Sequence, residues 1–242
     1  MELKVIWKHA RAAALECCDG SIYETENAYR IYLNGEFYRE TKQVVNVLYQ
    51  LEPEKEYCIS IEQGEEKAEI SFCTEAQDYT VNVRDFGARG DGVQDDTLYI
   101  QAAIMACPKD SRVLIPEGVY RITSLFLKDH LTLELAKGAV LSADTQREKF
   151  PILKGTCQNE EKGKEYILGT WEGDACDMFS GIITGIGVKD VTIYGEGIID
   201  GNASWENWWF EAKKIRIAAR PRMIFLNRCE NVQIVGITVQ NS

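Results

Sequence analysis

The stretch Val81-Asn-Val-Arg-Asp-Phe-Gly-Ala-Arg-Gly-Asp-Gly-Val-Gln-Asp-Asp-Thr97 decides the fold of this chain, together with the short apolar runs that follow it. Asp95-Asp96-Thr97 offers side-chain oxygens to the orphan amides of a helix start. The spacing predicts a helix over residues 96–107, with Ile100, Ile104 and Cys107 on one face, Ala102 and Ala103 as good formers, and Pro108 as its stop. The runs that come next are too short for an ordinary sheet: Val113-Leu-Ile115, Val119-Tyr-Arg-Ile122, Leu125-Phe-Leu127, Leu131-Thr-Leu-Glu-Leu135 and Ala139-Val-Leu141. Pro116-Glu-Gly118 and Lys137-Gly138 mark corners, and Leu131, Leu133 and Leu135 alternate so that each strand has one inward face. A frame Val-x-Ile-x-Gly occurs at 191–195 and again at 232–236. Units that cannot bury their own apolar face become stable by stacking on their neighbours. The pattern therefore reads as the first coils of a right-handed parallel β-helix, with the helix at 96–107 covering its apolar end.

Upstream, residues 1–76 read differently. Leu3-Lys-Val-Ile-Trp7, Ala28-Tyr-Arg-Ile-Tyr-Leu33, Tyr57-Cys-Ile-Ser-Ile61 and Ala68-Glu-Ile-Ser-Phe72 are strand-like, and Asn34-Gly35 supplies a tight hairpin turn. Polar punctuation every 8 to 12 residues suggests an antiparallel sandwich. Leu51-Glu-Pro-Glu-Lys-Glu-Tyr57 has the spacing that returns a Tyr hydroxyl to the preceding backbone. The region resembles a fibronectin type III domain, a class of module that mostly serves as a spacer or packing partner. The division expected is a sandwich over 1–76 and a β-helix over 79–242, an all-β chain apart from the capping helix.

Bulk properties narrow the partners. Lys and Arg number 27 against 38 Asp and Glu, a net charge of −11, which argues against nucleic acid. The same charge disfavours long-range attraction of an anionic polysaccharide, so such a ligand needs a local basic patch. No apolar run approaches the roughly 18 residues of a membrane span. The eight cysteines show no CxxC pair and no zinc spacing, which favours reduced thiols over a disulfide framework. The start, Met-Glu-Leu-Lys-Val-Ile-Trp-Lys-His, does not read as a signal peptide. The expected location is cytoplasmic, or secreted or periplasmic if a leader has been removed. No cofactor and no metal site are expected. Residues 87–92 lack the spacing of a dinucleotide loop, and residues 91–96 lack the twelfth-position Glu of a calcium loop.

The motifs taken together carry a resemblance. Val83-Arg-Asp-Phe-Gly-Ala-Arg-Gly-Asp-Gly92 with Asp95-Asp-Thr97 is similar to the opening of the pectate-lyase-like β-helix superfamily. Gly169-Thr-Trp-Glu-Gly173, Gly195-Glu-Gly-Ile-Ile-Asp-Gly201, Trp205-Glu-Asn-Trp-Trp209, Arg220-Pro-Arg-Met-Ile-Phe225 and Cys229-Glu-Asn-Val onward resemble the polygalacturonase family of glycoside hydrolases, in its bacterial exo-acting branch. The resemblance implies inverting hydrolysis of α-1,4-linked galacturonic acid, with galacturonate oligo- or polysaccharide as the partner. Inversion needs an acid and a base on opposite sides of the scissile bond, roughly 6.5–9.5 Å apart. The family supplies them from Asn-Thr-Asp, Asp-Asp, Gly-His-Gly and Arg-Ile-Lys segments. None is found here in a suitable place, since Asp95-Asp96 belongs to the cap region. The expectation is that the catalytic carboxylates lie beyond Ser242, that no residue of this chain is catalytic, and that the chain alone has little or no hydrolytic activity. Two alternatives stay open: a polysaccharide lyase on the same β-helix, and a non-catalytic carbohydrate-binding or structural module.

Substrate-binding candidates come from two interruptions of the coils, residues 143–180 and 203–219, the second of which looks partly helical. Arg220 and Arg222 stand in a basic concentration with Lys213, Lys214, Arg216 and Arg228, and Arg offers a carboxylate a bidentate fork. Trp171 and Glu172 sit where an excursion could border a cleft. Trp205, Trp208 and Trp209 could stack on sugar rings or bury themselves against the wall. An unfinished coil exposes strand edges and an apolar cross-section, so self-association through that end is expected.

Overall fold

The computed structural model describes residues 2–159 and 164–242. The chain divides into two units, Met1–Asp78 and Tyr79–Ser242. The first contains β1 (Glu2–Lys8), β2 (Ala13–Cys18), β3 (Glu24–Leu33), β4 (Glu36–Gln43), β5 (Val45–Leu48), β6 (Glu56–Gln63) and β7 (Glu66–Cys73). They form two antiparallel sheets, ordered β1-β2-β5 and β4-β3-β6-β7. Leu15 and Leu48 from one sheet and Ile31 and Ile59 from the other are fully buried in a shared core. Asn34 and Gly35 both take positive φ and turn β3 into β4. The Tyr57 hydroxyl accepts a hydrogen bond from the Glu52 amide at 2.8 Å, the return contact its spacing predicted.

The second unit is a right-handed parallel β-helix of three walls. Wall one stacks Thr80–Asn82, Arg112–Ile115, Thr132–Leu135, Lys189–Gly195 and Glu230–Val235, all parallel. Wall two stacks Asp91–Asp95, Gly118–Ile122, Ala139–Ala143, Ile198–Asp200 and Thr238–Gln240. Wall three is shorter, with Leu125–Phe126, Ile183–Ile186 and Ile224–Asn227. The two Val-x-Ile-x-Gly frames lie directly on one another, Val191 opposite Val232 and Ile193 opposite Ile234. The frame's glycine is sterically required. Gly195 has φ +134, and a Cβ there would stand 1.9 Å from the Leu135 carbonyl oxygen.

Stacking buries the inward column. Val113, Leu133 and Ile193 are inaccessible to solvent, whereas Ile234, next in the column, is 41% exposed. On wall two, Leu141 and Ile199 are sealed and Val239 is 44% exposed. A second column marks the corner before wall one. Asp110, His130, Asp190 and Asn231 all adopt positive φ near +50 to +60. His130 Nδ1 lies 3.1 Å from Asp190, whose other oxygen accepts from Asn231 Nδ2 at 2.7 Å. Short polar side chains tolerate this conformation, so the same corner repeats from coil to coil.

The helix α1 (Thr97–Ala106) buries Ile100, Ala103 and Ile104. It stands where the first coil would have its wall-three strand. The Gln101 side chain donates to the Phe126 carbonyl at 2.9 Å and accepts from the Phe126 amide at 2.7 Å. One amide side chain thus satisfies the edge that a strand would otherwise pair, as a capping element must. The helix start differs in detail from expectation. Asp96 is the N-cap but makes no side-chain cap bond. Its buried carboxylate instead accepts from the amides of Arg89 and Gly90, both at 2.9 Å, and closes the glycine turn. Asp95 takes the Thr97 amide at 3.0 Å.

Two long excursions leave the helix at one corner, between walls two and three. The first spans 144–182, of which residues 160–163 lie outside the described residues, and the second spans 201–223. The partly helical reading of 203–219 is corrected: this segment is a run of turns with isolated bridges. The Asn207 side chain holds it, accepting from the Ser204 amide at 2.8 Å and donating to the Asn202 carbonyl at 2.9 Å. Such a side-chain bond to backbone competes with a helical ladder.

Candidate functional site

Because both excursions spring from one corner of successive coils, they lie side by side and share a small aromatic core. Phe150 and Phe179 of the first meet Trp208 of the second edge-to-face, with centroids 5.4 Å (Phe150) and 5.7 Å (Phe179) from the Trp208 ring. All three are buried. Backbone bonds reinforce the contact, Phe179 N to Ala219 O and Ala219 N to Asp177 O, each 2.9 Å. Arg147 stacks on Trp208 at 4.5 Å and donates to the carbonyls of Asn207 and Trp208. Burial, with the like charges of Arg216 and Arg220 nearby, pushes the Arg147 guanidinium below its ordinary range.

The first excursion is pinned at its root by Asp144, a nearly buried carboxylate. It accepts from Lys149 Nζ at 2.7 Å, from Arg121 Nη2 at 2.8 Å and from the Gln146 amide at 2.8 Å. Burial alone would raise its pKa, but these donors outweigh it and hold the carboxyl at about 2.

Above this core opens a cavity of about 310 Å³. Trp171 reaches it from the first excursion, and Trp209, Arg220 and Arg222 from the second. The Arg220 guanidinium packs on two indoles, 5.1 Å from the Trp171 centroid and 4.3 Å from that of Trp209. One of its nitrogens donates to the Ala212 carbonyl at 2.9 Å. Arg222 donates to the Thr170 carbonyl at 3.1 Å. A guanidinium carries five N–H donors, so these bonds orient both groups and leave capacity for a carboxylate.

The structure therefore brings Trp171, Arg220 and Arg222 together. Glu172 is set apart: it occupies the tip of the hairpin between Thr170–Trp171 and Asp174–Ala175, exposed, with φ +50, and does not line the cavity. Other members were not singled out by sequence. Pro221 and Met223 contribute apolar lining. The three tryptophans also part company, since Trp208 is core, Trp209 lines the cavity and Trp205 is exposed. Among the described residues the cavity lining holds two arginines and no Asp or Glu. It can bind an acid, but it carries no acid–base pair.

Residues 80–167 match the family model described as Rhamnogalacturonase A/epimerase, pectate lyase-like. An exo-poly-alpha-D-galacturonosidase of Dickeya chrysanthemi is 31% identical over 134 residues, which cover 55% of this chain and 21% of that protein. Over these residues the chain is similar to the polygalacturonase family. A probable polygalacturonase of Vitis vinifera is 28% identical to this chain over 172 residues, covering 68% of it and 33% of the relative. The solved Family 28 exopolygalacturonase of Yersinia enterocolitica shares the fold at a TM-score of 0.66 and 21% identity, covering 99% of this chain and 55% of that one. The chain thus spans a third or less of the length of these two curated relatives.

Proposed function

We propose that this chain supplies the sugar-acid-binding part of a pectin-degrading glycoside hydrolase that cleaves α-1,4-galacturonosyl linkages with inversion. The observation that carries the reading is the cavity in which Arg220 and Arg222 converge beside Trp171 in a protein of net charge −11. Against so acidic a background, two oriented guanidinium groups favour a carboxylate ligand locally. This reading assigns neither the acid nor the base to these residues; among the described residues the cavity lining holds no Asp or Glu. Arg220, Arg222 and Trp171 are the binding residues of this reading, and Glu172 stands on its hairpin tip outside the cavity lining.

The test pairs binding with turnover. Isothermal calorimetry with galacturonate oligomers is expected to show binding that the double variant Arg220→Ala/Arg222→Ala abolishes. A reducing-end assay on polygalacturonate is expected to show no turnover by the chain alone. Absence of binding overturns the reading. Unsaturated, ultraviolet-absorbing products would point instead to a lyase.

The reading extends to self-association. Ile234 and Val239 end their columns exposed, on the last strands of walls one and two. Another parallel coil, here one from a second copy of the chain, would cover both. A concentration-dependent rise in mass by light scattering is expected, and a monomer at all concentrations would contradict it.

A further inference from the structure

The arginine cavity is cationic on one side and apolar over most of the rest. Ala143, Phe150, Ile182, Ala203, Pro221 and Met223 line it with side chains that neither donate nor strongly accept. Besides the two guanidinium groups, the polar side chains of the lining, among the described residues, are Asn241, Ser242 and three indoles. Two of these donors are already engaged. Asn241 Nδ2 donates to Asp200 at 2.9 Å, and the Trp209 indole N–H donates to the Ser242 carbonyl at 2.9 Å. Gly201 makes room for the apolar side, since a Cβ there would stand 2.7 Å from the Met223 sulfur. The Met223 thioether therefore lies against bare backbone and keeps its place in the lining.

We propose that this cavity selects galacturonate esterified at a ring hydroxyl, an O-acetylated uronate whose carboxylate meets Arg220 and Arg222 and whose acyl methyl lies against Met223 and Pro221. An unsubstituted galacturonate matches only half of the lining. Its carboxylate has two guanidinium partners, but its ring hydroxyls meet carbon and sulfur. A hydroxyl placed there gives up its hydrogen bonds to water and gains none. An acetyl ester removes that donor and adds a methyl group that gains by leaving water. The ester carbonyl is only an acceptor, and the five N–H groups of each guanidinium leave donors to spare. A cavity of about 310 Å³ is within the range of small-molecule sites and admits the substituted ring. An ester on the acid itself does not suit the same lining, because it cancels the charge that the arginines meet. The inference rests on the galacturonan reading and narrows its substrate.

Calorimetric titration of the full chain tests this with the methyl glycoside of galacturonic acid, its 2-O-acetyl and 3-O-acetyl derivatives, and the methyl ester of its carboxyl group. One of the acetylated sugars is expected to bind about ten-fold tighter than the parent glycoside, the worth of a buried methyl and a relieved donor. The methyl ester should bind about ten-fold weaker than the parent or worse. Met223→Gln keeps the length of the side chain but offers an amide to a hydroxyl, so the ratio of acetylated to parent affinity should fall toward one. Met223→Leu should keep the ratio. Thermal melts show whether each variant is folded, and if Met223→Gln is not, the ligand series on the wild type decides alone. No binding of any of these sugars, or a methyl ester bound as tightly as the acid, overturns both this selectivity and the galacturonan reading. A parent glycoside that binds as tightly as both acetylated forms overturns the selectivity alone. A preference for acetyl that Met223→Gln leaves untouched contradicts the placement of the acyl group and likewise overturns it.

Discussion

The Arg220 guanidinium lies 4.3 Å from the centre of the Trp209 ring and 5.1 Å from that of Trp171. One cation thereby joins the two excursions, because Trp171 belongs to the first and Trp209 to the second. A planar, weakly hydrated guanidinium packs well on aromatic rings, whereas a lysine ammonium is a compact, strongly hydrated point charge. Arg220→Lys is therefore expected to behave like Arg220→Ala. Both should weaken galacturonate binding about ten-fold or more, since hydrogen bonds to a charged group are worth roughly 1.5–3 kcal/mol. Calorimetry on the three proteins checks this, and a lysine variant with wild-type affinity would contradict it.

Trp208 lies under the cavity floor. Replacing a buried Trp by Ala costs about 3 to 5 kcal/mol. Here the loss should fall on the excursions, because Trp208 packs on Phe150 and Phe179 and not on the column of Val113, Leu133 and Ile193. Trp208→Ala should keep its β-sheet signal by circular dichroism while amide exchange of residues 144–150 and 203–219 becomes fast. Uniform loss of protection across the walls would show instead that the excursions and coils unfold as one.

Asp144 gives the fold a defined acid sensitivity. Its folded pKa of about 2 lies below the unfolded value of 3.8, so the group stabilises the folded state above pH 3.8. That contribution, about 2 kcal/mol from the size of the shift, is lost as pH falls from near 4 toward 2. Denaturant unfolding at pH 6 and at pH 3 should show a smaller pH dependence in Asp144→Asn than in the wild type. The same variant should be destabilised at pH 6, where Lys149 and Arg121 lose their partner.

Gly195→Ala is expected to abolish folding of the coil stack, because its Cβ would meet backbone at Leu135, not a movable side chain. Gly187→Ala is the matched control: it also has positive φ but nothing within 4 Å of a Cβ. It should remain soluble and lose only about 1 kcal/mol of backbone strain energy. Soluble yield and circular dichroism separate the two.

The coils were legible because their physics is local and repetitive. The runs at 113–115 and 119–122 lie within strands, and that at 131–135 covers the strand Thr132–Leu135; all stack as wall-one and wall-two rungs, and the repeated Val-x-Ile-x-Gly frame pairs residue for residue. In the first unit, Glu36–Gln43 escaped notice because after Phe37 and Tyr38 it is polar, and its pairing with β3 comes from the turn at Asn34-Gly35. The second excursion misled for another reason. Ala212, Lys213 and Lys214 are good helix formers, but the Asn207 side chain and the edge-to-face packing of Trp208 impose turns. With no helical period to follow, sequence could not tell the buried Trp208 from the exposed Trp205. Arg220, Arg222 and Trp171 were found through charge and residue type. That the three share one cavity depends on both excursions leaving the same corner, which only the stacked coils reveal.

A crystal of this chain soaked with galacturonate measures the central claim most directly. The account predicts a sugar in the cavity bounded by Trp171, Arg220 and Arg222, its carboxylate within hydrogen-bond reach of at least one of the two guanidinium groups. A sugar bound elsewhere on the coils, or an empty cavity at saturating ligand, would contradict it.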